Sequence, residues 1–221
     1  MHIEKFIFNA FQENCSVAYD SDGICVIVDP GFLAEEEKKR LYGFIQSNGL
    51  KVKAILLTHG HFDHIFGVCG AALDFNAEVY MHPADRVILE EANPMLCKAF
   101  GLPVPQSGFS FREIGNGDTI KVGSMTFEVI GTPGHTPGGV CYLEREAGVI
   151  FTGDTLFAGS IGRTDNIWAD YDAMMAALMG KLMELDGDYR VIPGHGPETD
   201  IATERMTNPF LMPFNEPFEN Q

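Results

Sequence analysis

Short apolar runs alternate with longer amphipathic stretches along this chain, and the period of each predicts its structure. Residues 14–19 and 24–28 are rich in β-branched and apolar types, and Asp22-Gly23 between them predicts a hairpin turn. From Leu33 to about Ser47 the period becomes helical. Glu35, Glu36 and Glu37 occupy its first turn, Leu41, Phe44 and Ile45 mark its apolar face, and Asn48-Gly49 ends it. Ala54-Ile55-Leu56-Leu57 reads as a buried strand leading into Thr58, a second helix is expected from Ile65 to Phe75, and Glu78 to Met81 is another strand. Residues 83–110 carry Pro83, Pro94, Pro103 and Pro105, which leaves one helix followed by irregular chain. Strands return at 119–122, 125–131, 139–143 and 148–152. Tyr171, Met174, Met175, Leu178, Leu182 and Leu185 then fall on one helical stripe, expected to be core, and Arg190-Val191-Ile192 is a last short strand.

Strands come in runs with helices interspersed, not in strict alternation. That pattern favours an α/β architecture of two sheets packed face to face with helices outside, a four-layer αββα sandwich, over a doubly wound parallel sheet. A chain of 221 residues suits a single domain spanning 1–221.

Composition narrows the function classes. The formal net charge of −16 repels phosphate backbones and counts against nucleic-acid binding. No run of eighteen apolar residues predicts a membrane span, and the start of the chain lacks a secretory pattern, so a cytoplasmic protein is expected. Cys15, Cys25, Cys69, Cys97 and Cys141 are odd in number and contain no C-x-x-C pair. They read as small apolar side chains in a reducing compartment.

The chemistry concentrates where strands end. Thr58-His59-Gly60-His61-Phe62-Asp63-His64, Thr132-Pro133-Gly134-His135, Gly153-Asp154-Thr155 and Pro193-Gly194-His195-Gly196 each follow a predicted strand on a Gly- or Pro-rich turn. His59-x-His61-x-Asp63-His64 alone would arise by chance in on the order of one chain in a thousand or fewer, which sets aside an incidental polar loop. Neutral imidazole and carboxylate are good ligands for a divalent ion. His59, His61 and His135 can serve one ion, Asp63, His64 and His195 a second, and Asp154 can bridge them. Seven ligands exceed what one ion uses, so two divalent metals are expected, zinc first, with iron or manganese also accepted by such a set. His2 and His82 are read as non-ligands and Asp118 as a turn residue. Asp29, in Val28-Asp29-Pro30-Gly31, is either a turn residue or an outer support for a ligand histidine.

With these motifs the chain resembles the metallo-β-lactamase superfamily along nearly its whole length. Within that superfamily it is most similar to glyoxalase II proteins of the short bacterial type. Phe151 to Phe157, Gly159 to Asp165, Gln12-Glu13-Asn14-Cys15 and Glu204 to Phe210 carry the closer match. The resemblance implies an αββα fold with the metals at one edge of the sheets. It also implies hydrolysis of a small thioester such as S-lactoylglutathione by metal-activated hydroxide. Asp63 is counted among the catalytic residues as well as the ligands, and Arg163 stands where the family has a substrate-contacting Lys. Two departures bear on substrate. Asp165 replaces an aromatic residue of the family, and the chain ends 221 − 195 = 26 residues after His195, so the C-terminal helical domain of full-length glyoxalase II is expected to be missing. If the clamp comes from elsewhere, the Phe-rich stretch from Phe210 to Phe218 or a partner subunit is the first place to look. Competing readings are a mononuclear iron persulfide dioxygenase using only His59, His135 and Asp154, and a hydrolase of another ester or lactone. Asp154 stands where β-lactamases have a Cys or another non-bridging residue, which counts against a β-lactamase.

Overall fold

The computed structural model describes residues 1–212, in which the first half of the chain builds one six-stranded sheet and the second half another. The part of the Phe-rich stretch beyond Met212 lies outside the described residues. In the first half, β1 (His2–Phe8), β2 (Glu13–Tyr19), β3 (Ile24–Val28), β4 (Lys51–Leu56), β5 (Glu78–Met81) and β6 (Arg112–Glu113) lie side by side in chain order. The first three are antiparallel and β3 to β6 are parallel. Helices α1 (Glu35–Ser47), α2 (Phe62–Ile65), α3 (Val68–Phe75) and α4 (Asn93–Phe100) supply the crossovers that parallel pairing requires.

The second half contributes β7 (Thr119–Val122), β8 (Met125–Gly131), β9 (Val140–Glu144) and β10 (Val149–Gly153). A small hairpin of β11 (Leu156–Phe157) and β12 (Ser160–Ile161) follows, then α5 (Tyr171–Ala177), β13 (Arg190–Pro193), β14 (Thr199–Asp200) and α6 (Ile201–Thr207). The sheet order is β14-β13-β10-β9-β8-β7. Strand β10 pairs parallel with β13 and antiparallel with β9, and β9 pairs antiparallel with β8. Hence β8, β10 and β13 run the same way.

Successive side chains of a strand face opposite sides of the sheet, so a strand buried on both faces reads as a continuous apolar run. In β3, Val26 and Val28 face the second sheet, where Phe127, Tyr142 and Phe151 meet them, while Cys25 and Ile27 pack outward with Leu41 and Ile45 of α1. The second sheet repeats the pattern: Val149 and Phe151 face inward, and Ile150 packs outward with Met174 and Leu178. Three apolar layers between two sheets and two sets of helices make the expected four-layer sandwich.

Local differences from the sequence pattern have identifiable causes. The helix expected from Ile65 to Phe75 is two helices, broken at Phe66-Gly67. The Gly67 N–H turns away to the Pro30 carbonyl at 2.9 Å, and a side chain there would collide with the Phe32 ring. In residues 83–110 the single expected helix opens with a 3-10 turn (Pro83–Asp85) and a π turn (Ile88–Ala92) before α4. On the Met-rich stripe, Met174, Met175, Leu178 and Leu182 are buried, but Tyr171 is exposed at the first turn. Two-residue strands such as β11, β12 and β14 carry too few residues to show a period.

Tyr142 ties the two sheets together. Its ring is buried in the inter-sheet core, and its hydroxyl donates to the Leu57 carbonyl at 2.7 Å, one residue before Thr58. Tyr142→Phe strands that buried acceptor, so we expect a loss of about 1–3 kcal/mol. A lower urea midpoint with an unchanged m-value would register it. An unchanged midpoint would show that the bond contributes nothing.

Candidate metal centre

The predicted ligands follow strands that end at one edge of the sandwich, with Asp63 and His64 carried in the short helix α2 just beyond β4. Asp29 follows β3, His59 follows β4, His135 follows β8, Asp154 follows β10 and His195 follows β13. Contacts across the sheets hold the edge together. The Val140 N–H donates to the Thr58 carbonyl at 2.9 Å, and Asn14 bonds the His195 turn three times, to the carbonyls of Pro193, Gly194 and Gly196. The Gln12-Glu13-Asn14-Cys15 segment thus clasps a turn about 180 residues further on. Glycine is required where the turns touch. Gly153 has φ +48° and lies against Thr58, and a side chain on Gly194 would overlap Asp154 and His64.

The seven predicted ligands come together. The ligand atoms of His59, His61 and His135 lie within 4.8 Å of one another, and so do those of Asp63, His64 and His195. Asp154 stands between the sets, with Oδ1 at 3.5 Å from His64 Nε2 and Oδ2 at 3.5 Å from His135 Nε2 and 3.6 Å from His195 Nε2. His2 and His82 lie outside both sets.

Hydrogen bonds on the outer side of the rings settle which ring nitrogen carries the proton. His135 Nδ1 and His195 Nδ1 face the backbone carbonyls of Arg163 and Phe11 at 2.8 and 2.9 Å, and a carbonyl can only accept. His64 Nδ1 faces Asp29 Oδ2 at 3.1 Å. The Thr58 hydroxyl donates to the same oxygen at 2.5 Å, which leaves it to accept from His59 Nδ1 at 3.1 Å. In the neutral form all four rings therefore turn an Nε2 lone pair inward. His64 Nε2 and His195 Nε2 are only 3.2 Å apart, and His59 Nε2 and Asp154 Oδ1 are buried with no hydrogen-bond partner.

Two imidazole nitrogens this close share a proton while His64 is charged, and once that proton leaves, their facing lone pairs are set to hold a metal ion. Tetrahedral coordination at about 2.0–2.1 Å places neighbouring donors about 3.3–3.4 Å apart. The 3.2 Å between His64 and His195 and the 3.4 Å between His195 Nε2 and Asp63 Oδ2 match that spacing. The donors therefore fit divalent metal.

Asp29 takes the outer-support role and not merely a turn role. It is buried at φ +49°, and its carboxylate accepts from Thr58 N, Thr58 Oγ1 and His64 Nδ1. Arg163 also behaves in an unexpected way. Its guanidinium is exposed and donates from Nε and Nη2 to the two Asp165 oxygens at 3.0 Å, while its carbonyl holds His135. Three residues went unrecognised in the sequence. Asp85 and Asn93 are buried and bond the ligand-bearing turns. Glu13 is buried beneath the centre, and burial, reinforced by the charges of Asp29, Asp63 and Asp154, pushes its carboxyl well above the ordinary range. Asp85 alone had a legible signal, since it follows the end of β5 as the ligands follow other strands.

A family model for the metallo-beta-lactamase superfamily matches residues 8–195. Hydroxyacylglutathione hydrolase GloC of Haemophilus influenzae is 38% identical over 216 residues, covering 96% of this chain and 98% of that protein. Among solved structures, the B3 metallo-beta-lactamase BLEG-1 is 36% identical with a TM-score of 0.87, over 95% of this chain and 99% of that one. TTHA1623 in a di-iron-bound form is 36% identical with a TM-score of 0.83, over 94% and 100%.

Protons occupy the centre when metal does not. Burial alone would lower His64, but the carboxylates of Asp154, Asp63 and Asp29 outweigh it and push the imidazole up to about 9. Below that pH the metal-free ring is charged, and an ion can use its Nε2 only after the proton leaves. Zinc titrations at pH 7–8, followed by calorimetry in buffers of different ionisation enthalpy, should therefore report proton release. The release should shrink as the pH rises through about 9. Binding without proton release at pH 7 would contradict the assignment of His64.

Proposed function

This chain belongs to the metallo-β-lactamase superfamily, and we propose that within it the protein is a binuclear metal-dependent hydrolase of small thioesters such as S-lactoylglutathione. The observation that carries the two-ion part is the convergence of a second donor set, Asp63, His64 and His195, beside the three-histidine set. A mononuclear iron dioxygenase using only His59, His135 and Asp154 would leave that second set unused. The thioester part rests on the likeness to hydroxyacylglutathione hydrolase GloC.

His59, His61 and His135 would hold one ion, Asp63, His64 and His195 the other, and Asp154 would contact both. When bound, such ions polarise a carbonyl and lower the pKa of water from about 15.7 to about 7. Zinc is the first choice, with iron or manganese compatible with the same donors. The chain itself keeps the rings in register through Asp29, Thr58 and the carbonyls of Phe11 and Arg163. A thiolate is a good leaving group, so no strong general acid is required of the site. Half-buried Phe11, packed edge to face on buried Phe62 at 5.1 Å and on exposed Phe100 at 5.4 Å, would give the substrate an apolar contact.

Two variants test this reading. Asp154→Ala should bind fewer than two ions per chain and lose more turnover than the roughly 10–100-fold typical of an outer support. Elemental analysis and a thioester panel with one β-lactam added would measure both. Two ions at normal rate, or turnover of the β-lactam alone, would reject it. Arg163→Ala should raise KM for glutathione thioesters, which carry carboxylates, more than for neutral thioesters, with kcat little changed. An exposed ion pair contributes about 0.2–1 kcal/mol, so the rise should be at most about fivefold. Equal changes for both substrate types would exclude Arg163 as a carboxylate contact.

A further inference from the structure

Given the two-ion reading above, we propose that Asp85 is a positioning residue for one ion site only, the His59, His61 and His135 set. Its carboxylate is fully buried and accepts three hydrogen bonds. Oδ2 takes the Gly60 N–H at 2.7 Å and the Thr136 hydroxyl at 2.9 Å, and Oδ1 takes the Gly138 N–H at 2.6 Å. Gly60 is the residue between His59 and His61, and Thr136 follows His135. Two donors thus come from the His135 turn and the third from Gly60, between His59 and His61 at the start of the segment that runs on to Asp63 and His64; none comes from the His195 turn. Asn93, also buried, closes the other end of the same residue by donating from Nδ2 to the Gly60 carbonyl at 2.8 Å.

The chemistry demands a carboxylate. Two backbone N–H groups and a hydroxyl converge on one side chain, and an ionised carboxylate accepts at both oxygens. An asparagine of the same shape would turn its NH2 toward either Gly60 N–H or Gly138 N–H, setting donor against donor in a buried site. There is also no spare room, because a side chain added at Gly138 would run into Asp85 itself. The two turns would then shift relative to each other. His135 would move away from His59 and His61, while the second set, braced by Asp29, Asn14 and the Phe11 carbonyl, would not.

Asp85→Asn tests this by metal occupancy, independently of activity. Metal-free protein is reconstituted with zinc and the ions per chain are counted by native mass spectrometry. Wild type should hold two. Asp85→Asn should hold one, its other ion weakened by about 10–100-fold, the range for an outer support. Adding His195→Ala should abolish the remaining ion, whereas adding His61→Ala should leave it in place. Amide exchange at Gly60 and Gly138 should quicken in the metal-free variant. If Asp85→Asn does not fold, Thr136→Val removes one of the three donors and should weaken the same ion alone. Two ions retained with unchanged affinity, or equal weakening of both, would overturn the proposal. A wild type that holds fewer than two ions would instead reject the two-ion reading on which it rests.

Discussion

The arrangement depends on one constraint, that the ligand rings are held from outside by acceptors which leave their lone pairs nowhere to point but inward. A carbonyl cannot donate, so His135 and His195 have no choice of tautomer once Arg163 and Phe11 are in place. Asp29 does the same for His64 directly and for His59 through the Thr58 hydroxyl. The cost is concentrated negative potential in a buried space, which is why His64 is driven toward its charged form while His59 and His61, desolvated and surrounded by other imidazoles, are driven away from it.

The sandwich exists to bring those acceptors and rings to one edge. Parallel strands β3, β4 and β5 deliver one group of turns, and the co-directional β8, β10 and β13 deliver the other. Inter-sheet bonds through Asn14, Val140 and Tyr142 prevent the two groups from sliding apart. The centre therefore draws on both sheets, and neither half of the chain holds a complete set.

The surroundings of the centre are less committed to glutathione than its donors are to metal. Arg163, the cation expected to meet a substrate carboxylate, is engaged by Asp165, so a substrate must compete with an intramolecular partner. The net charge of −16 adds a general repulsion of anions. Among the described residues no helix is long and apolar enough to cross a membrane.

Much of this was legible in the residues themselves. Strand β3 and the end of β4 appear as apolar runs because burial on both faces requires apolar side chains at consecutive positions, whereas β8 shows as an alternation of buried Met125, Phe127 and Val129 with half-buried Thr126 and Glu128. Their ends could be recognised because Gly, Pro, His and Asp gather there. The His59-x-His61-x-Asp63-His64 motif disclosed its chemistry because ligands close in sequence must share a turn. Asn93, the burial of Glu13 and the acceptor role of the Phe11 carbonyl were not legible, and Asp85 was marked only by its place after β5. Asp85 lies 25 residues from Gly60 and 53 from Gly138, and an isolated carboxylate has the same letter whether it caps a turn or braces a centre. The pairing of Arg163 with Asp165 was likewise invisible, since two residues of opposite charge two apart meet only if the turn between them brings the side chains to one side. Chemistry that lives in adjacent letters could be read from the chain, whereas the bonds that orient each lone pair join residues far apart in sequence and exist only once the two sheets have packed.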